Sequence, residues 1–188
     1  MSDFVTIDLS NYLTNKGITS ESEMSLGELS IGGSSLPYLH FNFGSLFHID
    51  SIPFIIYQKD GKDNMELNQQ LIPVQNIEIN KIHMLGVTNN GNFSEKAYFI
   101  ENGKHLLQTT ISFSDFLSPT PFYNEKLAFE FPYMHSRNGL INHYTPKIWM
   151  NTFSFDHVRA DHLLFEENMF IHLFAITIEG NISNPTIK

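Results

Sequence analysis

Between residues 104 and 113 the chain reads KHLLQTTISF. Leu107, Thr109, Ile111 and Phe113 fall on one side of an extended backbone, and Gln108, Thr110 and Ser112 on the other. That alternation predicts a β-strand with one packed and one wet face. The same period of two, or a β-rich apolar run, recurs at PYLHFNF (37–43), LFHIDSIPFIIY (46–57), MELNQQLIPV (65–74), NKIHMLGVT (80–88) and EKAYFIE (95–101). It continues at LAFEFPYMH (127–135), PKIWMNTFSF (146–155) and NMFIHLFAITIE (168–179), and a short opening strand is expected at Val5–Leu9. In KIHMLGV (81–87) and MFIHLFAITI (169–178) both alternating sets are mostly apolar. These two are expected to be central strands, with His83 and His172 as buried, hydrogen-bonded side chains.

Asp60-Gly61, Asn90-Gly91, Asn102-Gly103 and Asn138-Gly139 punctuate the runs. Asn-Gly tolerates the positive φ of a type I′ turn, so Asn102-Gly103 is expected to join two antiparallel strands. No stretch carries a long 3.6-residue apolar stripe with caps, although DHVRADHLLFEE (156–167) leaves room for a helical turn. TNKGITSESEMSLGELSIGGSS (14–35), rich in Ser, Gly and Glu, reads as a long loop. Roughly ten strands at this spacing predict an all-β fold, a two-sheet antiparallel β-sandwich of jelly-roll type with little helix. It is expected to occupy residues 1–188 as a single domain, with a loop-rich segment at about 10–35.

Composition narrows the functional classes. Hydrophobic residues make up 41% of the chain and charged residues 16%, a balance that suits a packed core and not disorder. The net charge is -9, with Arg137 and Arg159 as the two arginines. Binding to nucleic acid or to an anionic membrane surface, which needs clustered cations, is therefore not expected. Without cysteine there is no disulfide, thiol nucleophile or Cys-ligated zinc. The opening MSDFVTIDLS lacks a basic start and an apolar leader. The longest apolar stretch, Met169–Ile178, is about half a bilayer span. The expectation is a soluble, cytoplasmic protein.

The order of short motifs carries a resemblance. IPF (52–54), GKDNM (61–65), LIPV (71–74), KIHMLGVTNNGN (81–92), AYFIENGK (97–104), ISFSDF (111–116), FPYMHSRNG (131–139) and IHLFAITIE (171–179) follow one another. In that order they resemble the jelly-roll β-sandwich domains appended to some bacterial glycoside hydrolases. The similarity runs from Ile49 to Glu179. It implies a jelly-roll sandwich that binds carbohydrate. The chain departs from that pattern at ENGK, where the family has Asp-Gly-Thr, at Phe116, where Trp is usual, and at Met134, where Arg tends to precede the histidine. Arg137 supplies a basic residue two positions after His135 instead.

Candidate chemistry concentrates in YMHSRNGLINHY (133–144), which packs two His, one Arg, two Asn and two Tyr into a short segment. Sugar hydroxyls call for fixed Arg, Asn and Asp partners beside an aromatic face. The expected ligand-binding set is therefore Asp63, Asn64, Asp115, His135, Arg137 and Asn138, gathered on one rim. Nine His is many for this length, yet His-x-His and His-Glu-x-x-His are both absent, so no transition metal is expected. A site assembled from His135, His143 and a carboxylate stays open, as does a structural calcium ion. The lone Trp149 reads as core. The reading is a stand-alone module for a small polar ligand, a carbohydrate first, requiring no cofactor. Two alternatives remain. One is a small metal-independent lyase, isomerase or hydrolase using His135 with a carboxylate, Asp115 or Glu130. The other is a structural module that forms homo-oligomers or joins a partner protein.

Overall fold

A computed structural model of the chain describes residues 3–39 and 41–182. Among them lie β1 (Asp3–Thr6), β2 (Ile18–Thr19), β3 (Leu36–Pro37), β4 (Leu46–Ile49), β5 (Ile52–Ile55), β6 (Met65–Leu67) and β7 (Leu71–Thr88). Then come β8 (Phe93–Glu101), β9 (Lys104–Phe113), β10 (Lys126–Glu130), β11 (Met134–Ser136), β12 (Gly139–Ile141), β13 (Lys147–Phe165) and β14 (Asn168–Ile182). Helix among the described residues is limited to one 3₁₀ stretch, Glu21–Leu26. The fold is all-β, as the alternation predicts.

One large sheet carries the order β1-β14-β7-β13-β8-β9, with β6 added on β14 and β10 on β13. Every pairing in it is antiparallel. The two doubly apolar segments, 81–87 and 169–178, lie in β7 and β14, which are both interior strands. The sheet also folds over on itself. Two strands separate β9 from β7 in the order, yet a Cβ at Gly86 would lie 2.9 Å from the Phe113 ring. The backbone closes the same seam: Thr88 N–H donates to Ser114 O at 3.0 Å, and Phe116 N–H to Thr88 O at 2.9 Å. The result is a sandwich-like layering with the core between the folded halves. Trp149, Phe54, Phe99, Phe113, Phe165 and Phe174 are its largest fully buried side chains. Each contributes about 1.5–3 kcal/mol by leaving water.

The predicted hairpin is present. Asn102 and Gly103 hold φ of 51° and 74°, and Glu101 faces Lys104 across the two-residue turn. A bulge between Phe99 and Ile100 leaves Leu106 as the extra residue of β9. Leu107, expected on the packed face, is exposed beside that bulge; from Thr109 on the alternation holds, with Ile111 and Phe113 buried and Thr110 exposed.

Several expected boundaries differ. LIPV and NKIHMLGVT are not two strands but the ends of the single strand β7, because β13 and β14 pair along both its sides. Residues 156–165 form no helical turn; they belong to β13, held by β7 and, at its far end, by β8. A break in register between Ser154 and Val158, with His157 at φ 51°, absorbs the polar Asp-His pair. Of PYLHFNF, the described part holds strand only at Pro37, and His40 lies outside the described residues. The opening strand sits at Asp3–Thr6, just before the position expected. The loop-rich segment is pinned by Leu9, Ile18, Leu29 and Leu36, all fully buried. Spaced apolar anchors of this kind order a polar segment that has little secondary structure of its own.

Candidate functional site

A run of polar side chains threads the core. Asp63 and Asn64 follow the Asp60-Gly61 turn, whose residues hold φ of 51° and 77° and whose ends meet as a Lys59–Lys62 bridge. That reversal turns both side chains inward, where they are fully buried. Asn15 docks antiparallel on Asn64: its N–H donates to Asn64 O at 3.1 Å, while Asp63 N–H donates to Asn15 O at 3.0 Å. The Asp63 carboxylate accepts the Gly17 and Ile18 N–H groups, each at 3.0 Å, and Asn64 Nδ2 at 2.9 Å. Burial pushes the Asp63 carboxyl up to about 7, against the downward pull of those three bonds.

From Asn64 the run continues into β14. Asn64 Oδ1 lies 3.0 Å from His172 Nδ1, and His172 Nε2 lies 2.7 Å from Asn89 Nδ2. An amide oxygen only accepts, so His172 carries its proton on Nδ1; Nε2 then accepts the Asn89 amide N–H. Burial alone brings the His172 pKa down to about 3, so the ring is neutral and this direction is fixed. On the other side, Asn64 Nδ2 donates to Asn15 Oδ1 at 3.1 Å, and Asn15 Nδ2 donates to Glu66 Oε1 at 3.1 Å. Burial raises the Glu66 pKa.

Both ends of the run reach a trough on the surface. Three adjoining hollows, of about 320, 290 and 410 Å³, make it up. The first two share Ser30, Ile31 and Asn89 as walls. The second and third share Glu28 and Lys62. Asn90, Asp115, Phe116 and Leu117 are among the further walls of the first hollow; Thr14, Asn15, Glu66 and Met169 are further walls of the second. The third is lined by Lys16, Asp60 and Arg137 among others. Ile31 and Met169, 77% and 57% exposed, give the trough apolar edges. Phe116 is the aromatic wall of the first hollow, whereas four others, Phe41, Phe43, Phe47 and Phe129, line a separate hollow of about 350 Å³.

The expected site residues divide. Asp115 borders the first hollow, but its carboxylate is capped, Oδ2 accepting Gly91 N–H and Oδ1 accepting Leu117 N–H, both at 2.8 Å. Trp149, fully in the core, donates Nε1–H to Asp115 O at 3.1 Å. Asp63 and Asn64 stand behind the trough, not on its surface. His135 is also buried; its Nδ1 lies 2.7 Å from Thr19 Oγ1, which lies 2.6 Å from Ser35 Oγ. Its Nε2 is buried without a polar partner among the described residues, and burial lowers its pKa. Arg137 lines the third hollow. Asn138 occupies the exposed β11–β12 turn, where its N–H donates to Ser136 Oγ at 3.3 Å. Glu130 is exposed on β10, opposite Lys147.

Segment 15–35 is what links Asp63, His135, Arg137 and Asp115. It bonds Asp63 through Gly17 and Ile18, and His135 through Thr19 and Ser35. It passes under Arg137 at Gly33 and shares the first hollow with Asp115. Among the described residues no three His, Asp or Glu side chains gather as a metal cluster. His83 is held by Thr152 Oγ1 at 2.8 Å and Glu179 Oε2 at 3.2 Å, the hydrogen-bonded state expected of it. The sequence reading missed Asn15, Lys16, Lys62, Glu66 and Asn89. Asn89 directly precedes the Asn90-Gly91 turn, and that adjacency to a strand end was its one available signal. Searches of protein-family models and of curated proteins return no match to this chain.

Proposed function

We propose that this protein binds a hydroxyl-rich small ligand, a carbohydrate fragment, in the trough that crosses Asn89. The observation that carries the reading is the position of that side chain. Asn89 is buried, its amide N–H is committed to His172, and it forms the wall common to two hollows. A carboxamide fixed in this way presents its remaining groups at a set angle, and prepositioned donors and acceptors recognise hydroxyls with little ordering cost. Glu66, Asn15 and Thr14 add polar groups along the second hollow, while Ile31, Met169 and Leu117 offer apolar surface to the C–H face of a ring. The resemblance to carbohydrate-binding sandwich domains points the same way.

Titration calorimetry against a panel of mono- and oligosaccharides, with the wild type and Asn89→Ala, tests the reading. Binding by the wild type and a loss of tenfold or more in Asn89→Ala are expected. If no member of the panel binds, the carbohydrate reading fails.

A further inference from the structure

The third hollow says which kind of saccharide. In a chain of net charge -9, with 11 Lys and Arg in all, three cations from three separate segments line this one depression. Lys16 comes from the loop-rich segment, Lys62 follows the Asp60-Gly61 turn, and Arg137 sits on the turn joining β11 and β12. Lys16 is paired with Glu23 at 3.0 Å, and Lys62 with Glu28. The remaining acidic side chain on the wall is Asp60. Arg137 has no carboxylate within ion-pair distance among the described residues, so its fork of donors is uncommitted.

Its place is nevertheless built. Gly33 holds φ +75°, and a Cβ there would collide with Nε, Cγ and Cδ of Arg137. The missing side chain at residue 33 is the space over which the arginine lies. Arg137 is exposed, with its stem lying against Gly33, and its guanidinium is open to a planar anion, which an arginine engages through two parallel hydrogen bonds.

We infer that the trough takes an anionic saccharide, whose carboxylate or sulfate is held by Arg137 between Lys16 and Lys62 while its hydroxyls run toward Asn89. This rests on the carbohydrate reading and adds the charge. Glu23 and Glu28 offset the two lysines, so the charge offered to an acidic ligand is that of Arg137, and exposed charges farther than about 10 Å are screened at moderate salt.

Calorimetry at low and moderate salt with three tetrasaccharides of equal length, one neutral, one carrying uronates and one sulfated, decides it. At least one acidic arm should bind tenfold or more tighter than the neutral one, and that advantage should shrink with salt. Which arm wins identifies the anion. Arg137→Ala should abolish the preference and leave the melting temperature near wild type, and Arg137→Lys should keep part of it. Neutral binding as tight as both acidic arms overturns the inference and leaves the carbohydrate reading standing. A preference that survives in Arg137→Ala overturns the assigned seat. No binding in any arm overturns both.

Discussion

His172 donates through Nδ1 to Oδ1 of Asn64 at 3.0 Å, joining a central strand to a residue 108 positions earlier in the chain. Neither residue has access to water. The bond sets the tautomer of the histidine, and the tautomer sets the direction in which Asn89 is held.

Replacing His172 by Leu should therefore cost more than its change in volume. Asn64 Oδ1 and Asn89 Nδ2 would both lose a partner while buried, at about 1–3 kcal/mol each. Urea denaturation should show a loss of about 2–5 kcal/mol. A loss below about 1 kcal/mol would mean that the run of polar side chains does not act as a unit.

The same run predicts an unusual dependence on pH. Unfolded, Asp63 gives up its proton near 3.8; folded, it keeps it to about 7. Between those values the folded state binds the extra proton, so acid adds stability. His172 does the opposite: the unfolded ring protonates near 6.5 and the folded one only near 3, so acid removes stability. The two offset each other over roughly pH 4–6.5. His83 and His135, both lowered by burial, then tip the balance toward loss in acid. Asp63→Asn removes that gain, leaving the one at Glu66, whose pKa burial also raises, and should steepen the acid loss by up to about 1.4 kcal/mol per pH unit. Thermal melts from pH 4 to 7.5 read the slope, and equal slopes in both proteins would contradict the Asp63 assignment.

What was legible in the sequence follows from range. The Asn102-Gly103 hairpin, the central place of β7 and β14, and the buried histidines rest on local alternation and turn chemistry, and all three stand. The lengths of β7 and β13 depend on neighbours far along the chain, which no local window contains. The site divides the same way. Asp115 and Arg137 reach the trough, but Asp63, Asn64 and His135 are covered by segment 15–35 docking over them. Nothing in the Ser, Gly and Glu content of that segment reveals where it docks. Four leucine and isoleucine anchors decide it, and Lys16 and Lys62 arrive at the third hollow only as a consequence.

Gly33 and Gly103 form a matched pair for testing the arginine seat. Both hold positive φ, near +75°, but a Cβ at Gly103 would meet nothing within 4 Å, whereas at Gly33 it meets Arg137. Gly103→Ala should show the backbone strain alone, about 1 kcal/mol, with ligand affinity unchanged. Gly33→Ala should show similar strain together with a displaced Arg137 and a several-fold loss of affinity for an acidic saccharide. If calorimetry finds the two variants alike, the seat has no role in binding.

Chemical-shift mapping by NMR tests the central claim most directly. Amide spectra of the wild-type protein recorded during titration with the tightest-binding saccharide should shift along one connected path: Glu28–Ser34, Lys62, Asn89–Gly91 and Asp115–Leu117. Shifts confined instead to the aromatic hollow at Phe41, Phe43, Phe47 and Phe129, or absent from Asn89 and its neighbours at saturating ligand, would contradict the trough as the binding site.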